Sequence, residues 1–372
     1  MKILYCIQNK VLEDVLRKNR VINKNSEIIR DRKELTYKKV NQIKPDFIMF
    51  PHWSYIVPEN IFKNYNCICF HSAPLPFGQG GSPIQNMIIR GFNETEVCSL
   101  RMEKELDAGP VYLRTRVKLL GTLDEILIRI YDAIAEQIKI FKREKLSPKI
   151  QQGDSYKFKR LSIKDNLINF NDDLNGIFNQ IRMLDSALYP NPFTQSGDHL
   201  IDFSKAKLND SFISAKVKIY RKISLRSVSL KDSQELWEWR NDPLTRSMFR
   251  NKSYIKYEKH LEWFRSKLKD KNCSFYMGEA FGINAGIVRI DITKSIGEVS
   301  INMNPRVRGL YLSTTLLKDA TNSFNAKNPL NQLIANIDKK NKASIKIFKS
   351  VGFLLQKSEK NINTYRMKFE QS

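Results

Sequence analysis

The stretch Cys67-Ile68-Cys69-Phe70-His71-Ser72-Ala73-Pro74-Leu75-Pro76-Phe77-Gly78-Gln79-Gly80-Gly81-Ser82-Pro83-Ile84-Gln85 decides how the N-terminal half is read. Its apolar opening, Cys67 to Phe70, reads as a buried strand that ends in His71. The Pro/Gly-rich run behind it reads as a loop that is neither helix nor sheet. Its backbone groups would then need partners in water or in a ligand. Residues 83–90 read as the helix that closes it. Further along, Glu105-Leu106-Asp107-Ala108-Gly109-Pro110 offers a carboxylate on a second turn.

Outward from this stretch, residues 1–150 alternate strand-like and helix-like patterns. Residues 3–7, 46–50 and 97–102 read as strands, and 11–18 and 122–143 as helices. The longer helix repeats apolar residues at Leu123, Ile126, Leu127, Ile130, Ile134 and Ile138. Such alternation predicts a Rossmann-like α/β domain with a mostly parallel sheet, whose ligands bind at the carboxyl ends of the strands. His52, His71 and the Asp107 turn all follow strand-like runs and can share one rim. No G-x-G-x-x-G follows a strand, so a dinucleotide site is not implied.

Residues 151–219 change character. Tyr156-Lys157-Phe158-Lys159-Arg160, a helical stretch at 177–184 and Tyr189-Pro190-Asn191-Pro192-Phe193 read as a small linking subdomain. A third block, 220–372, reads in the order β-α-α-β-β-β-α-β-α-β, an α+β pattern.

The chain has 372 residues, enough for two or three domains, and is 41% hydrophobic and 27% charged. Its 63 Lys+Arg against 39 Asp+Glu give a net charge of +24. Three readings of that charge stand: a basic drift of solvated faces, attraction of polyanionic small ligands, or RNA. The basic residues are spread rather than clustered, which disfavours a nucleic-acid arm. No apolar run is long enough to span a membrane, and the N-terminus reads as a strand rather than a signal peptide. The 5 cysteines are odd in number, which points to free thiols in a reducing cytoplasm. No C-x-x-C or H-E-x-x-H is present, so no metal is expected.

His71, its loop and the Leu106-Asp107-Ala108-Gly109 turn resemble the core of the 10-formyltetrahydrofolate-dependent formyltransferases. The resemblance implies formyl transfer from 10-formyltetrahydrofolate to an amine, with His71 and Asp107 in the family's catalytic positions. The amine must be neutral when it attacks, the oxyanion needs a donor, and the leaving nitrogen needs a proton. The chain departs from the family at Cys69, where an Asn is usual, and at Glu94-Thr95-Glu96-Val97, where the third position is usually Gly. A thiol is a poor oxyanion donor. Pro51-His52-Trp53-Ser54 and Pro76-Phe77-Gly78-Gln79-Gly80-Gly81-Ser82-Pro83-Ile84-Gln85-Asn86 are similar to the subgroup that acts in surface-polysaccharide synthesis. That likeness implies that His52, Ser54 or Asn86 supplies the donor, and that Gly78, Gly80 and Gly81 let backbone approach the acceptor.

In the third block, Asn341-Lys342-Ala343-Ser344-Ile345-Lys346-Ile347-Phe348-Lys349-Ser350-Val351-Gly352-Phe353 and Arg308-Gly309-Leu310-Tyr311-Leu312-Ser313 resemble the GNAT N-acyltransferases. The resemblance implies acetyl-CoA or another acyl-CoA, held by Met303, Arg308, Gly309, Leu310, Ser313, Thr314, Asn341 and Phe348. Tyr311 stands where the family has a glycine, and Phe348 where it often has a tyrosine. Glu298 is the candidate base, acting through water. Arg240, Asn241 and His260 resemble acceptor contacts of GNAT enzymes for nucleotide-linked amino sugars. The combined expectation is a bifunctional N-acyltransferase for such sugars, with a homodimer as the possible assembly and no nucleic-acid partner. Two rivals stay open: a formyl head that only binds or dimerises, and a formyltransferase for initiator tRNA.

Overall fold

The computed structural model describes residues 1–249, 251–328 and 332–369. The chain divides into two compact units, Met1–Phe193 with Asp202–Val217, and Thr194–Ile201 with Lys218–Ser372.

The first unit begins β1 (Ile3–Cys6), α1 (Lys10–Lys18), β2 (Glu27–Ile29), α2 (Tyr37–Ile43), β3 (Phe47–Pro51), α3 (Glu59–Phe62) and β4 (Cys67–His71). It continues with β5 (Phe77–Gly80), α4 (Pro83–Ile89), β6 (Glu94–Arg101), β7 (Val111–Lys118) and α5 (Leu123–Arg143). Six strands form one sheet in the order β2-β1-β3-β4-β6-β7. The first four are parallel, and β6 and β7 run antiparallel to their neighbours. The mostly parallel α/β reading is therefore correct. Helix α5 starts at Thr122, which shares a capping box with Glu125, and buries the apolar stripe read from its sequence.

The Pro/Gly-rich loop departs from its reading. Phe77–Gly80 is a strand, paired in parallel with β8 (Tyr156–Phe158). Its backbone groups find partners inside the chain. Composition pointed to a loop because the pairing partner lies far along the sequence. Next come α6 (Leu174–Arg182), β9 (Phe193–Ser196), β10 (His199–Leu208) and β11 (Ile213–Arg221); the three strands form their own sheet, β11-β10-β9.

The remaining elements are β12 (Ser224–Ser227), α7 (Ser233–Asn241), α8 (Pro243–Met248), α9 (Tyr257–Lys269), β13 (Cys273–Ala280), β14 (Ile283–Thr293) and β15 (Ile296–Met303). Then follow α10 (Leu312–Lys327), β16 (Gln332–Asp338), α11 (Lys342–Ser350), β17 (Leu354–Glu359) and β18 (Ile362–Lys368). Seven strands form a sheet in the order β12-β13-β14-β15-β16-β18-β17. Beyond the predicted order stand the short α8 and a closing hairpin, β17–β18, in place of a single strand. Among the described residues the one parallel pair of this sheet is β15 with β16, with Gly297 opposite Leu333 and Glu298 opposite Ile334.

Candidate active sites

In the first unit, β3 and β4 lie side by side with Pro51 opposite Phe70. This register brings His52 and His71 to neighbouring strand ends on one rim. His71 is 6% exposed, and its Nε2 lies 2.7 Å from the carbonyl oxygen of Gly78. A carbonyl can only accept, so Nε2 carries the proton and donates it. Nδ1 then faces Asp107, whose Oδ2 is 3.4 Å away. That nitrogen is the one left to gain and release a proton. Asp107 sits in the left-handed region (φ 54°), and its Oδ2 also accepts the backbone N–H of Gly80 at 3.0 Å.

The segment Gly78-Gln79-Gly80 thus holds both partners. Gly78 accepts the hydrogen bond from His71 Nε2, and Gly80 steadies the carboxylate. Gln79, which is buried, donates its amide to Gln151 Oε1 at 3.1 Å. Gln151 in turn donates to the carbonyls of Asp107 (2.7 Å) and Gly109 (2.8 Å). Gln79 and Gln151 escaped the sequence reading, because their role depends on the β5–β8 pairing. Gly78, Gly80 and Gly81 are small for an internal reason. A Cβ would stand 2.7 Å from Ala73, 2.6 Å from the Phe158 carbonyl and 2.4 Å from Arg160, respectively. These contacts are with the chain itself, so the glycines serve close packing rather than approach to an acceptor.

Three residues were expected to replace the missing Asn donor. Asn86 is 3% exposed and commits its amide nitrogen to the carbonyls of Gly81, Ser82 and Lys159 at 3.0–3.1 Å. It fastens the loop and has no hydrogen to spare. Ser54 is exposed, with its backbone N–H on Gln8. His52 has positive φ (52°), and its Nδ1 lies 3.1 Å from the Tyr131 hydroxyl. That hydroxyl accepts from Asn9 at 2.9 Å. The arrangement that satisfies all three has Tyr131 donating to Nδ1, which leaves His52 Nε2–H as a donor. Burial pushes the imidazole below its ordinary value, so it stays neutral at physiological pH. Burial, reinforced by the charge of Asp107, pushes the Cys69 thiol up. It is neither thiolate nor a useful donor, and it lies 3.7 Å from the Leu100 carbonyl.

In the second unit, Glu298 is exposed near the start of β15, and its Oε1 accepts from Asn336 at 3.0 Å. Met303 ends β15, and Ser313 and Thr314 lie in the first turn of α10. Gly309 has φ 83°, and Leu310 is buried, with its carbonyl accepting from Gln195. Tyr311 adopts the left-handed conformation a glycine would take (φ 55°) and is 78% exposed. Its ring stands in solvent, so the α10 N-terminal amides fit the family's pyrophosphate contact. Arg308 is tied to Asp242 at 2.7 Å and to Thr245. It braces α8 instead of reaching for phosphate. Asn341 caps α11 by accepting from Ser344, and buried Phe348 packs edge-on against Phe353. Phe348 is core here, with no proton to give.

The acceptor-side residues are also engaged. Asn241 clamps Ile255 through both backbone groups at 2.9 Å. His260 is buried against Phe264, and burial lowers its basicity. Arg240 lies 4.0 Å from the Phe249 ring centre and donates to the Asn251 carbonyl. Arg240 and Asn241 tie α7 to Asn251 and Ile255, whereas His260 packs on Trp263 and Phe264 of its own helix. The buried His260 Nε2 and Arg240 Nη1 have no hydrogen-bond partner among the described residues. Among the described residues no helix is long and apolar enough to cross a membrane, and no group of three or more His, Cys, Asp or Glu is placed to hold a metal.

Comparison with known families fits this division. A formyl transferase model matches residues 8–140, and a model for the methionyl-tRNA formyltransferase C-terminal domain matches 163–220. An acetyltransferase (GNAT) domain model matches 222–354. A solved methionyl-tRNA formyltransferase from Clostridium thermocellum is 34% identical, with a TM-score of 0.57, over 59% of this chain and 99% of that one. The chain belongs to the formyltransferase family and carries a GNAT acetyltransferase domain behind it. Methionyl-tRNA formyltransferase of Sulfurihydrogenibium sp. (strain YO3AOP1) is 30% identical over 52% of this chain and 62% of that protein. That of Campylobacter curvus (strain 525.92) is 28% identical over 44% and 56%. The chain therefore spans less than two thirds of these curated relatives' length. The formyltransferase family draws its formyl group from 10-formyltetrahydrofolate, and GNAT domains draw an acyl group from acyl-CoA.

Proposed function

We propose that this formyltransferase–GNAT chain is a two-headed N-acyltransferase for nucleotide-linked amino sugars. The observation that carries the first head is the His71–Asp107 pair, fastened from both sides by one strand. When bound, 10-formyltetrahydrofolate supplies an activated formyl group. His71 Nδ1, with Asp107 behind it, holds the proton needed by the departing folate nitrogen, and His52 Nε2–H is the donor available to the oxyanion. The new C–N bond forms at the amine as the formyl–folate C–N bond breaks. The amine proton ends on folate.

In the second head Glu298 takes the proton that the acceptor ammonium must lose. The C–N bond forms as the thioester C–S bond breaks, and the second amine proton ends on the thiol. Phe348 cannot protonate the thiolate, but a thiolate leaves well near neutral pH. Five free cysteines and a basic surface suit a cytoplasmic enzyme with anionic substrates.

The test is mass spectrometry of nucleotide-linked amino sugars incubated separately with each donor. His71→Ala should erase the formylated product and leave the acyl-CoA product intact. Loss of both would contradict independent heads. A second reading, formylation of initiator tRNA, is favoured by the match of residues 163–220 to the methionyl-tRNA formyltransferase C-terminal model. It predicts tRNA binding that weakens steeply with salt. Unchanged mobility of tRNA at low salt would remove it.

A further inference from the structure

The segment Tyr156-Lys157-Phe158-Lys159-Arg160 alternates rings and cations, and its exposed members are not used by the His71–Asp107 pair. Tyr156 stands opposite Phe77 in the parallel β5–β8 pairing. The two rings lie nearly parallel, with centres 5.3 Å apart and planes 25° from each other. Phe92, just after α4, brings a third ring to 5.8 Å from that of Phe77. Phe158 meets Phe77 edge-on at 5.3 Å. Phe158 is 4% exposed and belongs to the core, whereas Tyr156 is 47% and Phe92 40% exposed. Rings that served packing alone would be covered as Phe158 is. Here a cluster of rings continues out of the core to the surface, beside the active strand.

Cations border these rings. Arg90 is held in place, its Nη1 donating to the Asn86 carbonyl at 2.9 Å and to Asn86 Oδ1 at 2.7 Å. Its guanidinium carbon lies 4.8 Å from the Phe158 ring centre and 5.8 Å from that of Tyr156. Lys159 and Arg160 follow Phe158 directly and are exposed. Lys157 is ion-paired with Glu105 at 2.8 Å, whereas Arg90, Lys159 and Arg160 face no carboxylate among the described residues. The ligand that matches such a surface is flat and aromatic at one end and carries several negative charges at the other. Residues 156–160 contain no Asn, Gln, Ser or Thr to read the edge of a heterocycle. A nucleobase can bind by its face alone. The pterin of a folate presents an edge of donors and acceptors that calls for a polar pocket. The platform also adjoins the reacting pair, because Phe77 immediately precedes Gly78, whose carbonyl holds His71 Nε2.

We infer that Tyr156, Phe77 and Phe92 form a stacking platform for the base of a nucleoside diphosphate, and that Arg90, Lys159 and Arg160 take its phosphates. This inference rests on the nucleotide-sugar reading of the formyl head, so the test separates the two. Isothermal titration calorimetry on the full chain would use UDP, GDP, inorganic pyrophosphate and 5-formyltetrahydrofolate as separate probes. UDP and GDP should bind within about tenfold of each other, because stacking tolerates any base. Tyr156→Leu keeps the bulk and loses the ring, and it should weaken both by about tenfold or more. Tyr156→Phe should restore them. Pyrophosphate should bind equally to wild type and Tyr156→Leu, and more weakly to Arg160→Gln. Equal binding of 5-formyltetrahydrofolate by every variant would show that the formyl head is folded and that folate sits elsewhere. An affinity for UDP that Tyr156→Leu leaves unchanged would overturn the platform and keep the nucleotide reading. Failure of the wild type to bind UDP or GDP would remove both. Loss of 5-formyltetrahydrofolate binding in Tyr156→Leu, restored in Tyr156→Phe, would assign the rings to folate and overturn the inference. So would tighter binding of a cytidine-cytidine-adenosine trinucleotide than of UDP, which would assign them to an RNA end.

Discussion

His71 donates its Nε2 proton to the carbonyl of Gly78 at 2.7 Å, and this bond sets the tautomer of the formyl head. All proton traffic at the imidazole must pass through Nδ1, beside Asp107. The chain has 4 histidines, so their imidazole nitrogens are separable by long-range 1H–15N NMR. Neutral His71 should show the Nε2–H pattern in the wild type. An Nδ1–H pattern there would contradict the assignment.

Gln151 should matter for formyl transfer although it touches neither His71 nor the Asp107 carboxylate. Its amide spans the carbonyls of Asp107 and Gly109, and Gln79 fixes its orientation. Gln151→Ala leaves both carbonyls unpaired and frees the turn. The expected result is a fall in kcat of roughly tenfold to a hundredfold, because a displaced catalytic group loses about that much. KM for the folate donor should change far less. An equal loss in both constants would make Gln151 a binding residue instead.

Gly80→Ala tests the same clamp from the backbone. Its φ is 102°, and an added Cβ would lie 2.6 Å from the Phe158 carbonyl. The strand must shift, and with it the N–H that holds Asp107 at 3.0 Å. Formyl transfer should collapse, while acetyl-CoA binding by the other unit persists. Retained formyl activity would show that the Gly80–Asp107 bond is dispensable.

Much of this site was legible because it is built from local pattern. A strand ending in His71, a Pro/Gly run and an Asp107 turn can be found by eye. Two features were hidden for one physical reason. Strand β5 and the Gln79–Gln151 clamp exist only because Tyr156–Phe158 returns to pair with Phe77–Gly80. Asn86 shows the converse. As a polar residue behind a glycine loop it looked ready for a ligand, yet three backbone carbonyls take its amide. In the GNAT unit the strand and helix order was readable. The short α8 and the closing hairpin were not, because the β17–β18 pairing is set by a turn that carries no proline or glycine to mark it.

Restoring the family's side chain at position 69 gives another test. Cys69 lies on β4 two residues before His71, so both side chains point to the same face. Its thiol, raised by burial, contributes no strong donor. Cys69→Asn places an amide there, and one added oxyanion donor is worth up to roughly a hundredfold in kcat. We expect a rise in formyl-transfer kcat at constant pH. A fall would mean that an amide at position 69 disturbs the packing beside His71 more than it aids the oxyanion.

The stability of the first unit should depend on pH through Glu13. This carboxylate is buried on α1 and receives Arg30 at 2.8 Å and Arg17 at 2.7 Å. Hydrogen bonding from Arg30, aided by Arg17 against the opposing effect of burial, holds its carboxyl down from 4.5 to about 2. A folded value below the unfolded one stabilises the fold fully above the unfolded value. That stabilisation disappears as the pH falls from 4.5 toward 2. Both arginines are partly exposed, so solvent screening reduces the worth of the cluster to about 1–2 kcal/mol. Glu13→Gln should therefore lower the denaturation midpoint at pH 7, and the gap to wild type should narrow steadily below pH 4.5. A gap that stayed constant down to pH 3 would show that Glu13 acts by packing and not by charge.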